Sequence, residues 1–214
     1  ARGDYADTLE AKIVALVGQA LENLAPATLY SGTGIARFAV NRRNNKESEL
    51  TATTPLEGPQ DHGVPVLKVA RPDGGIAAVV FGYACHATTL DGYAYCGDYP
   101  GFAQAAVEAS CPGATALFFA GCGGDQNPLP RRSVALARQY GVTLAAAVAR
   151  VLEDPMTALE PRLATTYNEV DLALAPTPGI DELRKQAETA AGYQERCLQA
   201  LLDRFEREGG LPSS

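Results

Sequence analysis

A chain of 214 residues with 46% apolar side chains is long enough to bury a core, which argues against disorder and for one domain or part of a larger one. Eighteen Lys and Arg stand against 25 Asp and Glu, for a formal net charge of -7, and this argues against a phosphate backbone as partner because nucleic-acid binding relies on clustered cations. The longest apolar run, Ile76 to Ala84, is strand-sized and far short of the roughly 18 residues of a membrane span.

In chain order, the three-and-four spacing of Leu9, Ile13, Val17, Ala20, Leu21 and Leu24 predicts an amphipathic helix over Asp4–Leu24, closed by Pro26. Ala27 to Val40, rich in Gly, Thr and aromatic residues, contains strand and runs into the polar loop Asn41-Arg42-Arg43-Asn44-Asn45. Val64–Ala70 and Ile76–Tyr83 form a hairpin across Arg71-Pro72-Asp73-Gly74-Gly75. The second of these strands is apolar throughout, hence central.

Pro100 at a first-turn position opens a short helix over Gly101–Ser110, and Ala114–Ala120 supplies another buried strand. Ser133–Leu152 is a long helix rich in Ala and Val. Arg162–Leu174 alternates as a strand, with a phase shift between Tyr167 and Val170 that suggests a bulge. Gly179–Glu208 carries the strongest helical pattern. This order predicts an α/β layered sandwich with a mixed β-sheet flanked by helices, a single partial domain over 1–214.

Two apolar strands end in polar loops, Cys85-His86-Ala87-Thr88-Thr89 and Gly121-Cys122-Gly123-Gly124-Asp125-Gln126-Asn127-Pro128. If the strands are parallel neighbours, both loops face one crevice at the carboxyl edge of the sheet, where ligands gather. His86, one of only two histidines, is either a metal ligand or base facing that cleft, or a core histidine satisfied by a backbone carbonyl. His62 reads as a loop residue capping the strand that follows. Gly123 and Gly124 allow a close backbone approach and amide donors for an oxyanion; otherwise they form a tight turn.

Asp125 orients a ligand, holds a cation or caps a turn, and Asp98 stands where a helix N-cap belongs. Arg42 and Arg43 clamp a carbonyl or an anion, or are simply solvated. The five cysteines are odd in number and lack a C-x-x-C spacing, so a disulfide framework and a thiolate zinc cluster are both disfavoured.

Taken together, Asn41-Arg42-Arg43, the strand ending in Cys85-His86-Ala87-Thr88-Thr89, Gly97-Asp98-Tyr99-Pro100-Gly101 and Gly124-Asp125-Gln126-Asn127-Pro128 resemble the ordered landmarks of the neutral, non-lysosomal ceramidase family, in its N-terminal catalytic region. The resemblance spans Tyr5 to Glu169 and is nearest to bacterial ceramidase-like proteins. It implies a zinc-dependent hydrolase of an amide bond, with a ceramide-like or other N-acyl lipid as substrate and a periplasmic or extracellular location. It further implies that His86 is a zinc ligand, one of two His, a Glu and a Tyr, with the other three falling before Ala1 and beyond Ser214, so that the site is completed by the remainder of the same protein.

Arg42 matches a family arginine near the substrate carbonyl; with Asp125 and Asn127 it makes up the implied catalytic set, and Asn41, Asp98, Tyr99, Gly123 and Gly124 the substrate-binding set. Asn127 stands where characterised ceramidases have the Ser of a Gly-Asp-x-Ser-Pro motif. An amide side chain cannot act as that nucleophile, which leaves attack to a metal-activated water. Two rival readings are a hydrolase using Cys85 or Cys122 with His86 as base, and a non-catalytic binding module on the same scaffold.

Overall fold

The computed structural model describes residues 2–51, 53–173, 176 and 178–210. They divide into two compact units, Ala1–Arg162 and Leu163–Ser214. In the first, the order is α1 (Arg2–Glu22), β1 (Thr28–Ile35), β2 (Ala39–Asn41), a 3-10 turn (Glu47–Glu49), β3 (Gly63–Ala70), β4 (Ile76–Tyr83), α2 (Asp98–Ser110), β5 (Thr115–Ala120), β6 (Gln126–Pro128), α3 (Val134–Glu153) and β7 (Thr157–Ala158). Five strands form a mixed sheet in the order β5-β4-β3-β1-β7, in which β4 and β5 are parallel and the other pairs antiparallel. A separate ribbon pairs β2 with β6. The α/β layered class with a mixed, helix-flanked sheet is therefore the observed one.

The hairpin β3–β4 has the expected bounds, its five-residue loop closed by hydrogen bonds between Arg71 and Gly75 and between Gly74 and Arg71. β4 is central, between β3 and β5. Its alternate residues Val79, Phe81 and Tyr83 are wholly buried on one face, joined there by Val64 and Val66 of β3 and Ala116 of β5. Tyr99, Ala103 and Val107 of α2 and Tyr140, Leu144, Val148 and Val151 of α3 complete this core. The opposite face carries Leu117 and Phe119, both exposed. α3 starts cleanly because Ser133 accepts the Leu136 amide through its hydroxyl, a side-chain N-cap. The amphipathic pattern of α1 does form a helix, but Leu9, Ile13, Val17 and Leu21 are exposed on it.

Three expectations change. Residues 162–173 form no strand, and Leu174 lies outside the described residues. Leu163, Tyr167, Val170 and Leu172 are all exposed, and an alternating pattern makes a strand only where a neighbouring strand takes up its backbone bonds. The long helix over Gly179–Glu208 is two, α4 (Ile180–Thr189) and α5 (Tyr193–Glu208), because Gly192, between them, takes a φ of +64°, a backbone conformation open to glycine that interrupts the helix. The two helices pack through Leu183, Leu198 and Leu202, with Ile180, Ala187 and Ala190 around them. α2 begins at Asp98, three residues early, so Asp98 is inside the helix and Gly97 is its N-cap.

The buried stripe of α3 yields a direct test. Leu144→Ala should cost about 2–5 kcal/mol through the cavity it leaves, whereas Val142→Ala, on the exposed face, should stay within about 0.5 kcal/mol; urea unfolding of both variants checks the assignment.

Candidate functional site

Three chain segments meet beyond the carboxyl ends of β4 and β5. The first is Asn41-Arg42, at the end of β2. Its backbone joins the second, the Gly121–Pro128 loop, where the Arg42 amide donates to the Asp125 carbonyl (2.7 Å). The third is the Cys85–Thr89 loop after β4, whose His86 amide donates to the Gln126 carbonyl (3.0 Å). Because β4 and β5 are parallel neighbours in register from Ala78↔Thr115 to Tyr83↔Ala120, their following loops emerge side by side, as one crevice requires. Gly123 permits the closeness: a Cβ there would stand 2.5 Å from the Cys85 nitrogen. The Gly123 amide is spent on the Gly121 carbonyl (2.8 Å), so this N–H does not face a ligand.

Asn41 is buried and uses its whole carboxamide on the protein. Its nitrogen donates to the Pro59 carbonyl and to the Asp125 carboxylate (3.0 Å each), and its oxygen accepts from the Arg43 and Asn44 amides (2.9 and 3.2 Å). Asp125 also accepts from the Gln126 side chain (3.2 Å). These bonds fix the turn from which Arg42 projects. The Arg42 side chain is exposed and anchored at Nε by the Gly124 carbonyl (3.2 Å); among the described residues its terminal nitrogens have no partner. Asn127 is buried to 8% exposure, and its carboxamide has no hydrogen bond within the described residues.

Asp98 and Tyr99 play a supporting part. The Asp98 carboxylate, buried, accepts from the Leu90 amide (2.9 Å) and the Tyr99 amide (2.7 Å), and it holds the loop that follows His86. The backbone of Asp98 has a φ of +50°, unusual for a residue with a side chain. The Tyr99 hydroxyl donates to the Cys85 carbonyl (2.7 Å), immediately before His86. Two further phenols do the same for the other segments. Tyr83 donates to the Ala36 carbonyl (2.8 Å) and accepts from the Ala39 amide (3.1 Å), ahead of β2, and Tyr140 donates to the Pro130 carbonyl (2.7 Å), just after β6. Burial pushes Tyr83 and Tyr140 up to about 12 and Tyr99 higher still, so all three remain protonated donors. Neither Tyr83 nor Tyr140 is distinguishable from an ordinary core tyrosine in the sequence.

His86 is half-buried, and its Nε2 is sealed from solvent without a hydrogen-bond partner. Thr88 and Thr89, on the same loop, have hydroxyls in the same condition. A buried imidazole nitrogen left open suits a metal ligand. Among the described residues no group of three or more His, Cys, Asp or Glu is gathered to hold an ion. His62 instead sits against the Ala39 carbonyl (3.2 Å from Nε2), next to β2.

Beside the β2–β6 ribbon lies a cavity of about 470 Å³ lined chiefly by Val40, Leu50, Leu56, Leu129 and Pro130. Glu47 stands in its wall, hydrogen-bonded by Arg131 (Nε 3.1 Å) and Arg132, and these guanidinium contacts hold its carboxyl below the ordinary 4.5. Arg132 also donates its amide to the Thr89 carbonyl (2.6 Å) and its Nε to Asp91 (3.1 Å), which ties this wall to the His86 loop.

No family model matches the chain, and no curated protein matches it. Solved structures do. A ceramidase complexed with C2 has a TM-score of 0.54 at 20% identity, over 63% of this chain and 23% of that one. The neutral ceramidase from Pseudomonas aeruginosa has a TM-score of 0.54 at 21% identity, over 65% of this chain and 25% of that one.

The fold is ceramidase-like. The matched part makes up about a quarter of each ceramidase chain. Within this ceramidase-like fold the landmarks at Asn41–Arg43, Cys85–Thr89 and Gly124–Pro128 are brought together by backbone hydrogen bonds, while Gly97–Gly101 supports them from behind. No helix among the described residues is long and apolar enough to cross a membrane.

Cys85 is 3% exposed, and burial, with the Asp98 charge adding to it, pushes its thiol far up, so it is a protonated core residue rather than a nucleophile. Cys96 and Cys122 are exposed. Iodoacetamide on the folded protein should therefore label Cys96 and Cys122 and spare Cys85, as read by peptide mass spectrometry; labelling of Cys85 at a comparable rate would restore the thiol chemistry.

Proposed function

We propose that this chain supplies part of the active site of a hydrolase that cleaves an amide bond, and that the substrate is a ceramide-like or other N-acyl lipid. The observation that carries this is the meeting of Arg42, His86 and Asn127 at one turn, Gly124–Asn127, with the reactive end of each left unpaired by the protein. The ceramidase-like fold, and the neighbours' activity as ceramidases, support the choice of an amide over other acyl compounds.

Arg42 is the group for the carbonyl oxygen. Held at Nε by Gly124 and exposed, it leaves its terminal N–H groups free to take the negative charge that grows on the oxygen as a tetrahedral centre forms. Asn127 both donates and accepts, so its carboxamide pairs with the substrate's own amide and orients it. Asp125 and Asn41 act on neither; they brace the turn that carries Arg42. No serine stands at the turn, so water attacks.

A zinc ion, when bound, supplies such a water at lowered pKa, and His86 Nε2 is the nitrogen this chain offers to it.

Arg42→Ala should lower kcat/KM on an N-acyl amide by about 10²- to 10³-fold, the loss seen when one oxyanion donor is removed. Arg43→Ala, next to it and also exposed, should stay within about twofold. Hydrolysis by Arg42→Ala at the wild-type rate would end the proposal, and zinc content measured alongside should fall in His86→Ala.

A further inference from the structure

We infer that Arg132 is a positioning residue that locks the three segments of the proposed site against one another, an assignment that rests on the amide-hydrolase reading for what the lock serves. Arg132 lies in the link between β6 and α3. Its Nη1 and Nη2 donate to the two carboxylate oxygens of Glu47, on the 3-10 turn that follows the Arg42 loop. Its Nε donates to Asp91 (3.1 Å) and its amide to the Thr89 carbonyl (2.6 Å), both on the loop that carries His86. One residue of the β6 segment is thereby bonded to the other two.

Two features separate this from an ordinary surface ion pair. The backbone of Arg132 has a φ of +77°, in the left-handed region that glycine enters freely and a residue with a Cβ does not. An ion pair whose arginine side chain is 53% exposed adds little to stability, so stability alone does not account for an arginine in that conformation. The second feature is that Glu47 is shared. Arg131 brings Nε (3.1 Å) and Nη2 to the same Oε2 that Arg132 Nη2 reaches (3.2 Å). With two donors from each guanidinium, the roughly four lone-pair sites of one carboxylate are filled, and the fork geometry leaves Glu47 no freedom to turn. A glutamine of the same shape would present an amino group to these N–H donors in place of one oxygen.

Arg42 and His86 stand on separate loops, and their separation is what the lock sets. Groups that act together on one substrate lose rate steeply when displaced, and a loss confined to the transition state appears in kcat rather than KM. Arg132→Gly removes the guanidinium, keeps the amide and suits the backbone, so the fold is retained; Glu47→Gln opens the lock from its other side. Each should lower kcat on an N-acyl amide by about 10- to 100-fold with KM within about twofold. The double variant should be no slower than the slower single one, because both break one link. Glu49→Gln, on the same turn but bonded to Lys46, should match the wild type. Amide hydrogen exchange on Arg132→Gly gives a readout that needs no turnover: the Arg42 and His86 amides, bonded to the Asp125 and Gln126 carbonyls, should lose protection while Val79 to Phe81 of β4 keep theirs. Wild-type kcat in either single variant, losses that multiply in the double one, or unchanged protection at both amides overturns the lock. An inactive wild type sinks the hydrolase reading instead, and the exchange result then decides the lock by itself.

Discussion

Everything near the turn depends on a cluster of rings centred on Phe38. Its ring lies 4.6 Å from that of Tyr83, 5.1 Å from that of Tyr99 and 4.7 Å from that of Tyr140, centroid to centroid. The three tyrosines come from β4, α2 and α3, so one packing event joins the sheet to both helices. Each then passes its hydroxyl to the backbone of a different site segment: the link before β2, the residue before His86, and the residue after β6 and Leu129. A buried phenol left without its acceptor costs about 1–3 kcal/mol, and so the cluster selects the one arrangement of these segments that satisfies all three hydroxyls. Burial, which keeps the phenols protonated, keeps them donors.

On that foundation the polar residues divide by whether the protein has already satisfied them. Asn41, Asp98 and Asp125 have their side-chain polar atoms hydrogen-bonded within the protein, Asp98 to backbone amides, Asp125 to the Asn41 and Gln126 side chains, and these bonds hold shape. Arg42, His86 and Asn127, the residues of the proposed site, are supported through the backbone on either side and keep their side-chain ends open. Buried or half-buried groups left open, as His86 and Asn127 are, are expensive, and their presence beside the turn that carries the exposed Arg42, rather than any single motif, gives the proposed hydrolase site its physical basis.

How much of this was legible in the residues varied with the range of the interaction. Local patterns served well: the apolar runs of β3 and β4, the turn between them and the Ala- and Val-rich α3 needed only periodicity and composition. The parallel pairing of β4 and β5 was a condition in the sequence and became a fact only when the fold supplied the register. Reasoning from period alone failed at residues 162–173, where alternation without a neighbouring strand leaves Leu163 and Tyr167 exposed, and at Gly192, whose backbone turn splits an otherwise continuous helical face. The ribbon β2–β6, three residues a side, and the roles of Tyr83 and Tyr140 depend on contacts between positions far apart in the chain, and no local signal marks them. Of the site, Arg42, His86 and the Gly124–Asn127 turn were visible as landmarks, while the division between bracing and open side chains required the hydrogen bonds.

The most direct measurement is residue-resolved amide hydrogen exchange on Tyr99→Phe. The His86 amide is bonded to Gln126 and sits next to the carbonyl that Tyr99 holds, whereas the β4 amides of Val79 to Phe81 are bonded within the sheet. If the ring cluster positions the site through its hydroxyls, the variant should lose protection at His86 while the β4 amides keep theirs. Protection at His86 equal to that of the wild type, or a uniform loss across β4 and His86 together, would contradict the account.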